Sequence, residues 1–411
     1  MAEQIRLLYV GDLYNSGFGT VTAGFLYNLH RTGRYDILNL AINYHDLSPA
    51  QVPWKVISAG FWHLAGEQWI QDDPYGTLKI QRYIEWFDPD AVMVNNDFPI
   101  AAKYWLDQDG NPTPFAKHRS KKVLYAPLDS QPCPPFFAEA HKQWDMVIMY
   151  SHWQKKLMTE RDPFYADAPV VYHGVDPTIF KPMDKAEAKS QLKDIFLQAN
   201  ADADLPDFEK KYIVYFNGTN QYRKHLPSLF RAFAEFRKQV PNAFLIPQSN
   251  VMPSEGGWYL PNLAGLTGVR DVLLMKNAHV FPAEAVNVLY NAADVLAYPT
   301  RGEGFGLPSF EAMATKTPVI ATKFGPQIEI HENGRGYFID VKELEPGINH
   351  AWTYFALPDY KSLARQLWHV YANPEEAAKT AERAYNWVQR FPWTNQAAQL
   401  DGILTKLIAD V

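Results

Sequence analysis

Tyr298–Ala321 reads YPTRGEGFGLPSFEAMATKTPVIA, and this stretch decides the fold. A strand-like run, Val295–Tyr298, leads into it, and a loop that contains two glycines follows. Pro308 then suits the first position of a helix that continues to about Ala314. A second strand-like run, Pro318–Ala321, closes the stretch. A strand, a loop, a helix and another strand in this order are typical of a parallel sheet covered by helices.

Strand-like and helix-like segments alternate along the whole chain. In its first part the strand-like runs are Ile5–Val10, Ala91–Val94, Val123–Tyr125, Met146–Tyr150 and Val170–Tyr172. In its second part they are Ile213–Phe216, Ala243–Ile246, Val272–Met275, Val295–Tyr298, Pro318–Ala321 and Tyr337–Ile339. This alternation predicts an α/β protein with doubly wound parallel sheets.

Two such sets of strands imply two Rossmann-like domains. We expect an N-terminal domain over residues 1–182, a linker with a packing helix over 183–211, and a C-terminal domain over 212–373. Residues 374–411 have a helical pattern with a kink at Phe391-Pro392-Trp393, and we expect these helices to cross back to the N-terminal domain. Two facing domains leave a cleft between them, and ligands of parallel sheets bind beyond the carboxyl ends of the strands.

The composition excludes several classes of protein. Of the 411 residues 47% are hydrophobic and 20% are charged, which excludes a disordered chain. The longest apolar runs have only about seven residues, too few to cross a bilayer of about 30 Å, so we expect no transmembrane segment. The chain opens with Met-Ala-Glu-Gln and enters a strand-like run at Ile5, which leaves no room for a secretion signal. We therefore expect a cytoplasmic protein.

Charge and cysteine content narrow the partners further. The 39 basic and 45 acidic residues give a net charge of −6, which argues against a protein that binds duplex DNA through a dominant basic face. Cys133 is the single cysteine of the sequence, which excludes an internal disulfide and a cysteine-rich metal site. Asp88-Pro89-Asp90 has the spacing of a metal-binding Asp-x-Asp motif, but it lies where a helix is expected to end, and we predict no metal site.

The loop after Val295–Tyr298 contains Glu303, Gly304 and Gly306, and Glu311 lies in the following helix. The glycines let the backbone approach a ligand, and the free amides of the first helical turn favour an anion such as a diphosphate. Glu311, which we place in the first turn, could accept two hydrogen bonds from a ribose, and Glu303 could reach the hydroxyls of a sugar. Alternatively, Glu303 is a solvated loop residue and Glu311 a carboxylate that stabilises the helix dipole.

A second candidate stretch, FNGTNQYRKH over residues 216–225, follows the strand-like run Ile213–Phe216. Arg223 and Lys224 could neutralise a diphosphate, the arginine through a bidentate fork and the lysine as a point charge. Asn217, at the end of the same strand, is a further candidate for binding the donor. The alternative for the two basic residues is a solvated face.

A third candidate is the glycine loop over residues 11–19, which ends with Gly17, Phe18 and Gly19. It is a weak match to a dinucleotide-binding fingerprint because Thr22 occupies the third glycine position. A hydride-transferring oxidoreductase is therefore disfavoured. A flexible loop that closes over phosphates or sugar, and a simple tight turn, both remain open.

With these motifs in hand, Tyr298–Ala321 resembles the signature of retaining glycosyltransferases of family 4, in which seven residues separate two glutamates. Further stretches fall in the order of that family, namely Gly17-Phe18-Gly19, His173-Gly174-Val175-Asp176, Asn220–Lys224, Asn291-Ala292-Ala293-Asp294 and Phe391-Pro392-Trp393. The resemblance implies the GT-B fold and the transfer of a sugar from a nucleoside diphosphate sugar to a hydroxyl acceptor. It also implies retained anomeric configuration, no metal in the chemical step and no cofactor beyond the donor itself.

The resemblance also assigns roles to individual residues. Arg223 and Lys224 would hold the diphosphate and Glu311 the ribose, and Gly17–Gly19 would form a closing loop. The donor sugar would be held by Glu303 and the loop with Gly304, including the backbone amides of Phe305, Gly306 and Leu307.

Two positions depart from the family pattern. Thr219 occupies the commonest arginine position of the family, so Arg223 would act as a variant. Tyr125-Ala126-Pro127-Leu128-Asp129 stands where many relatives have a histidine, which makes Asp129 a candidate for positioning the acceptor or assisting proton transfer. The predicted catalytic residues are therefore Glu303, Lys224, Arg223 and Asp129.

The acceptor stays open at this level. A saccharide or glycan is the default, and a modified nucleic-acid base is an alternative that the negative net charge weakens. A non-catalytic protein that binds nucleotide sugars or glycans is the other alternative.

Overall fold

A computed structural model describes residues 4–13, 16–45, 51–65, 68–199, 205–254, 256–275, 278, 281–347 and 352–409. The chain forms two compact units. The first comprises Met1–Leu128, Cys133–Gly174 and Trp393–Val411, and the second comprises Asp129–Pro132 and Val175–Pro392.

The first unit is built on six parallel strands. These are β1 (Ile5–Asp12), β2 (Tyr35–Ile42), β3 (Lys55–Ser58), β6 (Ala91–Asn95), β7 (Lys121–Ala126) and β8 (Met146–Met149), while β4 (Phe61–Ala65) and β5 (Gln68–Asp72) form a separate antiparallel pair. The sheet order β3-β2-β1-β6-β7-β8 is the order of dinucleotide-binding folds once the antiparallel pair is set aside. Leu7–Val10 at its centre are fully buried, because helices cover both faces of such a sheet.

Among the described residues of the first unit, six helices precede Gly174. They are α1 (Gly17–Arg31), α2 (Lys79–Phe87), α3 (Phe98–Ala101), α4 (Pro114–Lys117), α5 (Phe137–His141) and α6 (His152–Arg161). Ser16 begins α1 as its N-cap, because its hydroxyl oxygen accepts a hydrogen bond from the amide of Gly19.

The second unit contains a five-stranded parallel sheet and a two-stranded antiparallel sheet. Its strands are β9 (Tyr212–Asn217), β10 (Ala243–Gln248), β11 (Val295–Tyr298), β12 (Val319–Thr322), β13 (Tyr337–Ile339), β14 (Val341–Pro346) and β15 (Tyr354–Pro358). The parallel sheet has the order β10-β9-β11-β12-β13, and β14 pairs with β15. The prediction of two parallel-sheet, Rossmann-like units is therefore confirmed.

The helices of the second unit are α7 (Lys185–Ala199), α8 (Leu226–Arg237), α9 (Leu260–Thr267), α10 (Ala283–Ala292), α11 (Leu307–Ala314), α12 (Gln327–His331), α13 (Tyr360–Ala372) and α14 (Pro374–Val388). Single 3-10 turns occur at Phe208–Lys210 and Tyr222–Lys224.

The units divide the chain at other positions than the predicted 1–182, 183–211, 212–373 and 374–411. The first boundary lies after Gly174, and residues 183–211 belong to the second unit. The reason is a set of contacts to α10, in which the backbone amides of Lys181 and Met183 donate to Asn287 and Asn291.

The predicted C-terminal helical segment is also divided. Helix α14 belongs to the second unit, whereas α15 (Trp393–Ala409) belongs to the first and packs against α1. The helices are separated at Pro392, which cannot donate a backbone hydrogen bond. Among the described residues no helix combines the length and hydropathy needed to span a bilayer.

Two predicted strands are wrong. Val170–Tyr172 and Val272–Met275 form only isolated bridges beside the edge strands β8 and β10. Conversely, the buried strand β2 was not predicted, because Asp36 and Asn39 interrupt its apolar pattern. The side-chain Nδ2 of Asn39 donates to the carbonyl of Tyr9 inside the sheet.

Candidate active site

The candidate site of the second unit lies at the carboxyl ends of neighbouring strands. Strand β9 ends at Asn217 and leads to the turn Tyr222–Lys224, and β11 ends at Tyr298 and leads to the loop before α11. Because β9 and β11 are adjacent and parallel, the segments that follow them leave the same edge of the sheet. The backbone amide of Arg301 donates to the carbonyl of Arg223, which joins these two segments directly.

Glu303 brings the two predicted basic residues together. Its Oε1 atom lies 2.7 Å from Lys224 Nζ, and its Oε2 atom lies 2.9 Å from Arg223 Nη1. Lys224 Nζ also donates to the hydroxyl of Tyr298 at 2.9 Å. The side chains of Glu303 and Lys224 are only 6% and 9% exposed, so the alternatives of a solvated loop glutamate and a solvated lysine are wrong.

The charged groups in this cluster shift one another's pKa values. Burial alone would raise the pKa of Glu303, but Arg223 and Lys224 lower it below its usual value. Burial lowers the pKa of Lys224 to about 8, with Glu303 opposing the shift and Arg223 adding to it. Burial likewise disfavours charge on Arg223, but the carboxylates of Glu303 and Asp129 raise its pKa overall. The cluster therefore keeps an ionised carboxylate between two cations.

Asp129 belongs to the second unit and lies beside Arg223, although the two are far apart in sequence. Its Oδ2 atom is 3.7 Å from Arg223 Nε, and its side chain is 26% exposed. A Cβ atom at Gly302 would lie 1.9 Å from the carbonyl oxygen of Asp129, so only glycine fits there. Arg223 Nη1 donates to the carbonyl of Gly302 at 3.0 Å. The structure thus groups the four predicted catalytic residues.

The glycine loop has a fixed shape at the start of α11. Gly306 is the N-cap of α11 with a φ of 102°, a conformation that favours glycine. A Cβ atom at Gly306 would lie 2.1 Å from Gln327 Nε2, which itself donates to the carbonyl of Phe305 at 2.7 Å. Gly304 is half-buried in the same loop, and Leu307 is the first residue of the helix. These contacts hold the backbone before α11 in one conformation.

Glu311 lies further along α11 than predicted. The helix begins at Leu307 and has no acidic residue in its first turn, so the interpretation of Glu311 as a dipole-stabilising carboxylate loses its basis. The side chain of Glu311 accepts a hydrogen bond of 2.8 Å from the hydroxyl of Tyr290, and that hydroxyl accepts one of 3.0 Å from Asn217 Nδ2. Burial raises the pKa of Glu311 to about 7, while Tyr290 opposes the shift.

Two residues of the site were missed from the sequence. Tyr290 lies directly before Asn291-Ala292-Ala293-Asp294, the stretch that resembles the family pattern and does not include this tyrosine. Arg301 is fully buried, with its guanidinium 4.2 Å from the ring centre of Tyr222 and in contact with Glu345 of β14. The sequence does offer one indication of Arg301, because it is a charged residue inside the loop that contains the glycines.

Gly17, Phe18 and Gly19 belong to the first unit, whereas the other predicted site residues belong to the second. They form the first turn of α1 rather than a loop. A Cβ atom at Gly17 would meet nothing within 4 Å. Space for a side chain at Gly17 is therefore available, and the role of Gly17–Gly19 as a closing loop stays a prediction.

The Asp-x-Asp motif has structural partners. Asp88 accepts from Arg119, and Asp90 accepts from the backbone amide of Arg6. Within the described parts of the chain, no cluster of three or more His, Cys, Asp or Glu side chains has the arrangement of a metal site.

Comparison with known proteins agrees with this geometry. Residues 198–387 match the family described as glycosyl transferases group 1. This segment is therefore similar to group 1 glycosyl transferases. The matched segment contains Arg223, Lys224, Glu303 and Glu311, and the match agrees with the predicted enzyme class.

Curated relatives carry a related name. A D-inositol 3-phosphate glycosyltransferase of Salinispora tropica is 28% identical over 335 residues, which are 76% of this chain and 64% of that protein. The enzyme of the same name from Segniliparus rotundus is 35% identical over 170 residues, which are 39% of this chain and 34% of that protein. The chain thus matches less than two thirds of the length of these relatives.

Solved structures share the fold of the whole chain. A sucrose-phosphate synthase from Thermosynechococcus elongatus has a TM-score of 0.73 at 18% identity and is covered completely, as is this chain. The structure of Anabaena HepE in complex with UDP-glucose has a TM-score of 0.68 at 15% identity, over 98% of this chain and 100% of that one. The predicted GT-B fold is therefore confirmed.

Proposed function

We propose that this protein is a retaining, metal-independent glycosyltransferase of family 4 that transfers a sugar from a nucleoside diphosphate sugar to a hydroxyl of a saccharide or glycan. The observation that carries the proposal is the buried cluster of Glu303 with Lys224 and Arg223. Two cations held beside a helix N-terminus suit a diphosphate, and a carboxylate among them suits the hydroxyls of the attached sugar. A cytoplasmic location, inferred from the composition, is part of the proposal.

Each group of the cluster has a defined part in this reaction. Lys224 and Arg223 stabilise the negative charge that develops on the diphosphate as its bond to the sugar breaks, which is work that a metal ion does in other enzymes. The amides of Phe305, Gly306 and Leu307, together with Glu303, orient the sugar. Gly17–Gly19 would close over the donor.

Retention of configuration follows from attack on the face from which the diphosphate departs. The bond from the anomeric carbon to the diphosphate oxygen breaks, and the acceptor hydroxyl oxygen forms the new bond on the same face. The acceptor proton passes to the departing diphosphate oxygen, so no protein nucleophile is needed. Asp129, beside Arg223, is placed to orient the acceptor, and orientation of this kind supplies much of the rate enhancement in bimolecular transfers.

The relatives suggest which compounds to test first. Because Anabaena HepE was solved with UDP-glucose, that donor heads a panel of UDP, GDP, ADP and TDP sugars. The acceptor panel contains saccharides, an inositol phosphate as in the name of the curated relatives, and a hydroxymethylated oligonucleotide.

The test is release of nucleoside diphosphate, followed by magnetic resonance of the glycosylated product, with and without EDTA. We expect turnover that EDTA does not reduce and a product with the anomeric configuration of the donor. Lys224→Met should lower turnover by about 10²–10³. Lys238→Met is the matched control, because Lys238 is 67% exposed and pairs with nearby Glu235. An inverted product, or turnover that EDTA abolishes, would contradict the proposal.

A further inference from the structure

Three polar side chains form a hydrogen-bonded line that ends at the proposed ribose site. Asn217 Nδ2 donates to the hydroxyl oxygen of Tyr290, and the Tyr290 hydroxyl donates to Oε2 of Glu311. Because the amide nitrogen of Asn217 can only donate, the phenolic hydrogen of Tyr290 is directed to the carboxylate. One oxygen of Glu311 is thereby fixed.

Within the part of the chain that the structure describes, no cation stabilises the charge of Glu311. The titratable groups that face it are phenols, namely Tyr290 on α10, Tyr215 on β9 and Tyr298 on β11. Strand β12 carries no titratable side chain, and α14 meets α11 through the aromatic rings of Trp387 and Phe310. Among the described residues, the hydrogen bond from Tyr290 is therefore the contact that favours the ionised form.

This environment matters because of what a ribose requires. The two hydroxyls of a ribose donate hydrogen bonds, and an ionised carboxylate offers only acceptors. A protonated Glu311 would present a hydrogen to one of them. Since burial raises the pKa of Glu311 to about 7, the empty enzyme contains both forms near neutral pH.

We propose that Tyr290 is a positioning residue for the nucleotide ribose. Its hydroxyl favours the ionised, acceptor-only form of Glu311 that binds the ribose, so that the fraction of Glu311 still protonated in the empty enzyme releases its proton when the donor binds. This inference rests on the proposed function, because it takes Glu311 as the ribose ligand. It adds a residue and a proton-linked step to that function.

The experiment is calorimetric titration of the full chain with UDP-glucose between pH 5.5 and 8.0 in two buffers of different ionisation enthalpy. UDP-glucose is chosen because its diphosphate is esterified at both ends and does not titrate in this range. We expect affinity to rise with pH up to about 7, with release of about one proton at pH 6. Towards pH 8 the loss of the Lys224 cation opposes this rise. If UDP-glucose does not bind, the GDP, ADP and TDP sugars are tested in the same way.

Variants separate positioning from simple packing. Tyr290→Phe should weaken binding about tenfold at pH 7, as expected for loss of a hydrogen bond to a charged group, and should move the rise in affinity to higher pH. Glu311→Gln should abolish the rise in affinity below pH 7 and the proton release at pH 6. Tyr215→Phe is the matched control, since the Tyr215 hydroxyl donates to Gln248 and the residue packs beside Tyr290.

The outcomes distinguish this inference from the function on which it rests. Donor binding without proton release, or a Tyr290→Phe variant that is weakened equally at every pH, overturns the role of Tyr290 and leaves the proposed function standing. Failure of every nucleotide sugar to bind a correctly folded wild-type protein overturns both.

Discussion

Replacing Glu303 with glutamine keeps the shape of the side chain and removes the charge that Lys224 and Arg223 share. In the wild type the Glu303 carboxylate lies 2.7 Å from Lys224 Nζ and 2.9 Å from Arg223 Nη1. Glutamine can still accept a hydrogen bond from one of the cations, but it cannot neutralise either. The variant therefore isolates the electrostatic contribution of Glu303.

The loss of stability in Glu303→Gln depends on how deeply Lys224 and Arg223 are buried. Removing one member of a buried ion pair costs about 3–5 kcal/mol, because the other charge remains uncompensated. The side chain of Lys224 is 9% exposed, so this range applies to the Lys224–Glu303 pair. The side chain of Arg223 is 30% exposed, so solvent screening makes the energy of the Arg223–Glu303 pair smaller. We therefore expect the lower end, about 3 kcal/mol. For a unit of this size that lowers the melting temperature by roughly 6–12 °C.

A thermal melt with and without UDP tests the expectation. The diphosphate supplies the negative charge that the variant lacks, so a fixed UDP concentration should raise the melting temperature of Glu303→Gln more than that of the wild type. Sugar transfer should fall by about 10²–10³, because the sugar loses its oriented carboxylate. Glu343→Gln is the control, since Glu343 is 53% exposed and its ion pair with Lys342 should contribute less than about 1 kcal/mol.

A loss of 1 kcal/mol of stability lowers the melting temperature of a unit of this size by about 2 °C or more. The reasoning would therefore be refuted by a Glu303→Gln protein that melts within 1 °C of the wild type and whose melting temperature UDP raises to the same extent. That result would mean that the two cations do not depend on Glu303 and that the diphosphate binds elsewhere.

Three further predictions follow from single observations. Gly306→Ala should destabilise the protein by about 2 kcal/mol and weaken nucleotide binding. The reason is that the φ of 102° and the contact of the added Cβ with Gln327 force the loop to move. A free energy of unfolding equal to that of the wild type, measured by chemical denaturation, would contradict this prediction. Because the pKa of Lys224 is lowered to about 8, its cation is lost as pH rises through that value, and nucleotide-sugar affinity should fall above pH 8 in the wild type but not in Lys224→Met, as calorimetry can show. Trp393→Ala should destabilise the first unit by about 3–5 kcal/mol, because the indole packs against Gly174 so closely that a Cβ there would lie within 3 Å of it; a denaturant midpoint equal to that of the wild type is the contrary outcome.

The sequence predicted most of the strands that are buried on both faces, although it missed β2. Val295–Tyr298 has the predicted bounds, because continuous apolar runs between polar segments are typical of central parallel strands. The edge strand Tyr337–Ile339 also has the predicted bounds. The hairpin of β14 and β15 was not predicted. Its strands contain exposed polar residues such as Lys342 and Glu343, and its pairing depends on tertiary contacts, for example the hydrogen bond from the Ala356 amide to the Arg301 carbonyl.

The site could be predicted only as separate motifs. Strand-to-helix loops indicated Arg223, Lys224, Glu303 and Glu311, because ligands of parallel sheets bind at these places. That Glu303 is shared by both cations, and that a tyrosine holds Glu311, depends on which strands are adjacent. Sequence spacing does not give the order of strands in a sheet, so these pairings required the structure.

Hydrogen exchange measured by mass spectrometry, with and without UDP-glucose or whichever nucleotide sugar binds, tests the central claim most directly. If the diphosphate sugar binds beside the Lys224–Glu303 pair, the amides of Tyr222–His225 and Gly304–Leu307 should exchange more slowly in its presence. Slower exchange confined to other segments, with these two unchanged at saturating ligand, would contradict the claim.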